Sequence, residues 1–164
     1  MAVLPILRWP DPRLSQVCAG VGAITEDVRS LAADMLETMY AAPGRGLAGP
    51  QVGAMLRIFV MDTTWKEGSP APRVLVNPVL EWASDRLATG PEGCLSIPGV
   101  TAEVTRPAEV RMRWTGLDGR EAVETLAGFA AICAQHELDH LDGIVTFDRV
   151  APDLRARLET EYAA

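Results

Sequence analysis

The stretch AQHELDHLDG, residues 134–143, holds the only two histidines of the chain, four residues apart, with Glu137 directly after the first. An α-helix turns about 100° per residue, so His136 and His140 lie roughly 40° apart on one face and can converge on a single ion. The HExxH arrangement joins two imidazole ligands to a carboxylate able to act as general base toward a metal-activated water. The alternative is a pair of partly buried, hydrogen-bonded histidines. The lack of any other histidine, and the apolar segment around these two, favour a metal.

Two nitrogens seldom complete such a site, so a third ligand is required. Cys133 shares the helix face of His136 and His140 by its i, i+3, i+7 spacing. Three ligands strung along one straight helix converge poorly, however, and Cys133 reads better as a wall of the pocket. Cys94 stands in GPEGCLSIPG, residues 90–99, where glycine and proline on both sides let the chain approach a helix from outside. Such a segment also leaves backbone N–H groups free to face a ligand. Cys94 is the preferred third ligand.

The elements that must position these residues follow from periodicity. From residue 25 onward, Val28, Leu31, Ala32, Met35, Leu36 and Met39 recur at helical spacing, predicting an amphipathic helix that ends at Pro43 and Gly44. Residues 44–53, GRGLAGPQVG, carry too many glycines for regular structure and read as a shaped loop. Residues 55–62 and 73–77 read as strands, with a loop over 65–72. Val110, Met112 and Trp114 alternate with Arg111, Arg113 and Thr115, a turn follows at 117–119, and residues 121–125 return, which predicts a half-buried antiparallel hairpin. Residues 126–141 are apolar around most of a helix and should be buried, with Gly143 as a stop. Residues 153–162, preceded by Pro152, read as a short surface helix. The predicted fold is α+β, with mostly antiparallel sheets packed around a central buried helix that carries HExxH.

Composition narrows the function classes. With 164 residues, 48% hydrophobic and 23% charged, the chain has the make-up of a single globular domain over residues 1–164. A net charge of −7 argues against a basic surface for nucleic acid or anionic lipid. The start MAVLPILRWPDPRL lacks the features of a secretory signal, no run reaches membrane-spanning length, and three widely spaced cysteines favour thiols over disulfides. A soluble cytoplasmic protein, working as a monomer, is expected.

Three motifs in order, GRGLAGPQ at 44–51, EGCLS at 92–96 and QHELDH at 135–140, resemble those of the peptide deformylases, and the resemblance runs from ILRWPDPRL to beyond His140. It implies that Cys94, His136 and His140 hold one divalent ion, usually Fe(II), with zinc, nickel or cobalt able to occupy the same ligands. It implies that Glu137 is the acid/base residue, and that Gln51 and the Leu95 N–H stabilise the oxyanion. Preorganised donors of that kind are typically worth about 3 to 4 kcal/mol each in the transition state. Arg45, Gly46, Gly93, Phe129 and Cys133 would border the bound peptide. The implied activity is removal of the formyl group from N-formylated nascent peptides, with formate released and the ribosome as a transient contact.

Taken singly, Gln51 reads as bonding its own loop and Glu92 as solvated, while the resemblance has Glu92 helping to hold the site. Asp139 is either a surface residue or one that fixes the helix. Arg106 either organises the EGCLS segment or lies at the surface. Two positions depart from the family pattern. Arg45 replaces an apolar residue, which either narrows the methionine pocket or points over its rim, and Gly49 replaces an alanine, adding backbone freedom costing about 0.5 to 1 kcal/mol. Two other functions share parts of the pattern. A zinc endopeptidase uses HExxH but commonly takes a ligand downstream of the helix, where no histidine remains here. A deformylase-like binding module for peptides or the ribosome would not need the complete Cys94, His136, His140 and Glu137 set.

Overall fold

In the computed structural model, which describes residues 1–164, three helices and seven strands build two antiparallel sheets. Helix α1 (Glu26–Ala41) opens on Thr25, whose side chain accepts the Val28 N–H, and carries Glu26 and Asp27 in its first turn, where they complement the helix dipole. Strands β1 (Gly46–Ala48), β2 (Ile58–Met61), β3 (Arg73–Ala83), β6 (Glu109–Thr115) and β7 (Glu121–Ala127) form one sheet in the order β1-β2-β3-β6-β7. Strands β4 (Leu87–Cys94) and β5 (Ile97–Pro107) form a separate hairpin. Helices α2 (Gly128–Leu141) and α3 (Pro152–Ala163) complete the chain.

The two-residue period of a strand explains why all four residues of β2 are buried. Ile58 and Val60 join Val28, Ala32, Met35 and Met39 of α1 in one apolar cluster, whereas Phe59 and Met61 join Ala131, Ala134 and Leu141 of α2 in another. The sheet is therefore covered on both faces at β2. Truncating a fully buried side chain such as Phe59 to alanine costs about 3 to 5 kcal/mol. A third cluster joins Ile97, Val100, Ala102 and Val104 of β5 to Phe147 and to Leu158 of α3. It docks the β4–β5 hairpin, and thus Cys94, onto the rest of the fold.

Several expected elements appear as read. The hairpin of β6 and β7 pairs Val110 with Leu126 and Trp114 with Ala122, and buries Val110 and Met112 while Arg111 stays exposed. Helix α2 is buried over most of its length and ends before Gly143, which has φ 76°. Pro152 takes the first position of α3.

Four expectations change. Residues 44–53 are not an irregular loop: β1 pairs with β2, Gly46 opposite Met61, and Gly49–Val52 forms a 3-10 turn. The strand predicted over 55–62 is shorter, Ile58–Met61. The strand predicted over 73–77 instead continues to Ala83, because the register shifts between Val76 and Val79 accommodate Pro78, which has no N–H to pair. At that shift Asn77 adopts φ 51° and its side-chain amide bonds both the N–H and the carbonyl of Val21, each at 2.8 Å. Leu126 and Ala127 belong to β7 rather than to the helix, which starts at Gly128. The glycine-rich and proline-rich segment around Cys94 forms the tip of the β4–β5 hairpin.

Candidate functional site

Helix α2 presents His136 and His140 one turn apart, with ring centroids 5.0 Å from each other. Cys94 reaches them from the end of β4, where the pairing with β5 shifts between Glu92 and Cys94. Its Sγ lies 3.4 Å from His140 Nε2, and the ligand atoms of Cys94, His136 and His140 all lie within 4.8 Å of one another. Tetrahedral zinc-like bonds of about 2.3 Å to sulfur and 2.0 Å to nitrogen would hold S and N about 3.6 Å apart, close to the observed spacing. Cys133 stays out of this cluster, its Sγ directed at the Arg45 carbonyl 3.6 Å away.

The donor set suits one borderline cation. His140 Nδ1 and Glu137 Oε1 are both buried without a hydrogen-bond partner. Burial lowers the His140 pKa well below its ordinary value, keeping the ring in the neutral form that ligates metals. One sulfur and two imidazoles match iron, zinc, nickel or cobalt rather than magnesium or calcium, which select oxygen. Burial also pushes the Glu137 carboxyl up to about 7, opposed by the charge of His136. A carboxyl titrating there can both take and return a proton near neutral pH.

A buried charged network holds the ligands in place. His136 Nδ1 faces Glu92 Oε1 at 3.1 Å, and Glu92 accepts two bonds from Arg106, at 2.7 and 2.9 Å. The same guanidinium donates to Asp139 at 2.9 Å, and Asp139 also accepts two bonds from Arg149. Burial opposes the charge on Glu92, but the bonds from His136 and Arg106 prevail and hold its carboxyl down at about 2. Glu92, Arg106 and Asp139 are therefore neither solvated nor at the surface, the alternatives left open by the sequence. Arg149 escaped sequence reading, because nothing in its local pattern points to α2.

The cluster forms the floor of a cleft of about 790 Å³ between α2, β1 and the β4–β5 hairpin. Gln51, Cys94, Leu95, His136 and Glu137 line it, as do Gly46, Gly93, Phe129 and Cys133, while His140 is fully buried behind them. Gln51 accepts the Ala48 N–H through Oε1, so it does bond its own loop, yet it also donates through Nε2 to Ser96 at 3.1 Å, with Cys94 Sγ 3.6 Å away. Ser96 is a partner the sequence reading missed. Gly46 packs directly on the floor: a Cβ there would stand 2.5 Å from Glu137 Oε2 and 2.9 Å from Cys133 Sγ.

Both departures from the deformylase pattern take definite positions. The Arg45 guanidinium lies over the Phe129 ring, 5.2 Å from its centroid, and pairs with Glu67 at 3.0 Å, so the side chain runs along the rim. Gly49 is enforced by space rather than chosen for freedom. A Cβ at that position would fall 2.5 Å from the Ala54 carbonyl oxygen and 2.8 Å from that of Leu56.

Residues 3–156 match the sequence model of the polypeptide deformylase family. A peptide deformylase of Afipia carboxidovorans is 46% identical over 162 residues, covering 99% of this chain and 95% of the relative. Another, from Alkalilimnicola ehrlichii, is 47% identical over 159 residues, covering 96% and 88%. Among solved structures, the peptide deformylase of Ehrlichia chaffeensis superposes with a TM-score of 0.91 at 32% identity, covering 99% of this chain and 96% of its own. That of Synechococcus elongatus, solved in complex with actinonin, gives 0.93 at 37% identity, covering 98% and 88%. Ordered motifs, the Cys/His/His cluster beside a buried carboxylate, and sequence and fold similarity over nearly the whole length lead to one conclusion: the chain belongs to the polypeptide deformylase family.

Proposed function

We propose that this hydrolase removes the formyl group from formylmethionine at the N-terminus of new polypeptides, with Cys94, His136 and His140 as metal ligands and Glu137 as acid/base. The observation that carries the assignment is the cluster of one thiol and two imidazoles within 4.8 Å, with the unpartnered Glu137 Oε1 buried beside it on the cleft floor. When bound, a divalent cation would supply the positive charge that polarises the formyl carbonyl and acidifies a solvent molecule.

This chain's residues do the rest. Glu137 takes the proton as water oxygen adds to the formyl carbon. The amide of Gln51 and the N–H of Leu95 donate to the oxyanion that develops on the carbonyl oxygen. Glu137 then delivers the proton to the amine nitrogen as the C–N bond breaks, which leaves formate and a free N-terminus. Gly46 lets the peptide backbone approach the carboxylate, and Gly93, Phe129 and Cys133 line the cleft around it.

Fe(II) is our assignment for the ion, with zinc, nickel or cobalt fitting the same donors. We place the activity in the cytoplasm on chains emerging from the ribosome, through transient contact. No helix is long and apolar enough to cross a membrane. The candidate site is complete within one chain, and our reading is that the protein works as a monomer. Protein loaded anaerobically with Fe(II) or Ni(II) should release formate from a formylmethionyl peptide, and actinonin, the compound bound by the Synechococcus relative, should block it. No release above a Glu137→Ala control would reject the assignment, and cleavage of an internal peptide bond would indicate an endopeptidase.

A further inference from the structure

The outer wall of the cleft carries a charge that the reaction itself does not use. Arg45 has its backbone tied down, because its carbonyl accepts the Asp62 N–H at 2.9 Å and the next residue, Gly46, abuts Glu137. Its side chain leaves along the rim, stacked over Phe129, and is 32% exposed. A guanidinium has five N–H donors, yet the only side-chain partner is Glu67, itself 61% exposed, and Nε is buried with no partner. Lys66, adjacent in sequence to Glu67, lines the same cleft. The acidic residues that line it, Glu92 and Glu137, both lie at the floor, and Glu92 is neutralised by Arg106. On a chain with net charge −7, Arg45 and Lys66 against the single carboxylate of Glu67 leave these three side chains at the mouth with one positive charge in excess.

Resting on the deformylase reading, we infer that Arg45 and Lys66 form a subsite for a side-chain carboxylate, so that formylated peptides with Asp or Glu shortly after the formylated residue are favoured. Glu67 occupies the place of that carboxylate in the free protein. An exposed pair such as Arg45–Glu67 is held weakly, because water and salt satisfy both partners nearly as well. A peptide carboxylate exchanges for Glu67 at little cost and accepts from the terminal N–H groups of the guanidinium, in the bidentate geometry it favours. Phe129 beneath the guanidinium plane holds it facing the opening.

The test compares kcat/KM for formyl-Met-Glu-Ser, formyl-Met-Ala-Ser and formyl-Met-Lys-Ser, and for the same residues placed one position later, on metal-loaded protein. The acidic peptide should lead the neutral one by about 2- to 5-fold, expressed in KM, and the lead should shrink as salt rises to about 0.5 M. Arg45→Leu should bring the ratio to about one, and Glu67→Gln should widen it by removing the competitor. Calorimetric affinities for the deformylated products Met-Glu-Ser and Met-Ala-Ser should follow the same order and read the subsite without the chemical step. Equal affinities and rates for acidic and neutral peptides, or a preference that survives Arg45→Leu, would overturn the subsite. Absence of formate from every peptide would instead reject the hydrolase reading, with the calorimetric order still deciding the subsite.

Discussion

Glu92 Oε1 stands 3.1 Å from His136 Nδ1, so a carboxylate from the β4–β5 hairpin fixes the ring of a ligand carried by α2. That leaves Nε2 as the ring nitrogen free to face Cys94 and His140. Removing the negative charge should loosen the ligand while leaving all three donors in place. Glu92→Gln should weaken metal affinity by about 10- to 100-fold in a competition titration against a chelator. Affinity equal to wild type would mean that the hairpin merely passes near the ring.

Arg106 joins Glu92 and Asp139 inside the protein, and all three are buried. Arg106→Ala would take from the buried Glu92 its only guanidinium partner and leave Asp139 paired with Arg149 alone. We expect a loss of about 3 to 5 kcal/mol in urea unfolding. A loss below about 1 kcal/mol would show that Arg149 alone compensates Asp139.

Gly46→Ala places a methyl 2.5 Å from Glu137 Oε2, so either the carboxylate or β1 must shift. Displacing a reacting group by about 1 Å can cost 10²-fold, and kcat should fall by about that factor with the fold intact by circular dichroism. Gly49→Ala meets backbone oxygens of residues 54 and 56 instead of a movable side chain. Its expected effect is on stability, about 1 to 3 kcal/mol by denaturant titration. An unchanged midpoint would show that the 54–56 segment yields freely.

The thiol assignment separates two cysteines. Cys94→Ala should abolish stoichiometric metal uptake, and Cys133→Ala should largely retain it. Chelator should lower the thermal midpoint of the wild type and leave that of Cys94→Ala unmoved, since an ion that binds only the folded state stabilises it. The reverse pattern would exchange their roles.

A pH effect arises away from the metal cluster. Tyr40 donates its hydroxyl to Asp62 Oδ2 at 2.6 Å, and burial, followed by the Asp62 bond, raises its pKa above the ordinary 10.0. The folded chain keeps that proton while the unfolded chain releases it. The contribution is therefore complete below pH 10 and declines as pH rises beyond it. Tyr40→Phe should cost about 1 kcal/mol at neutral pH, and its deficit relative to wild type should narrow above pH 10. A constant deficit across that range would contradict the bond.

Much of the chemistry was legible because it is encoded locally. The spacing of His136 and His140, the apolar run of α2, the α1 stripe and the β6–β7 alternation are periodic signals, readable within a few turns or pleats. Cys94 was singled out by its glycine and proline neighbours. The β4 stretch LATGPEGC, by contrast, shows no alternation of apolar residues, so its pairing with β5 had no local signature.

By itself the sequence determined the candidate ligands Cys94, His136 and His140, the helix that displays two of them and the class of fold, since residue type and periodicity are local properties. Only tertiary structure decided that Arg106, 33 residues from Asp139, would join two acids, that Gly49 would admit no side chain, and that Arg45 would lie along the rim. Those outcomes depend on which distant surfaces meet and on the space left between them. Burial of charge and contact between backbones become defined only once the sheets and helices have packed.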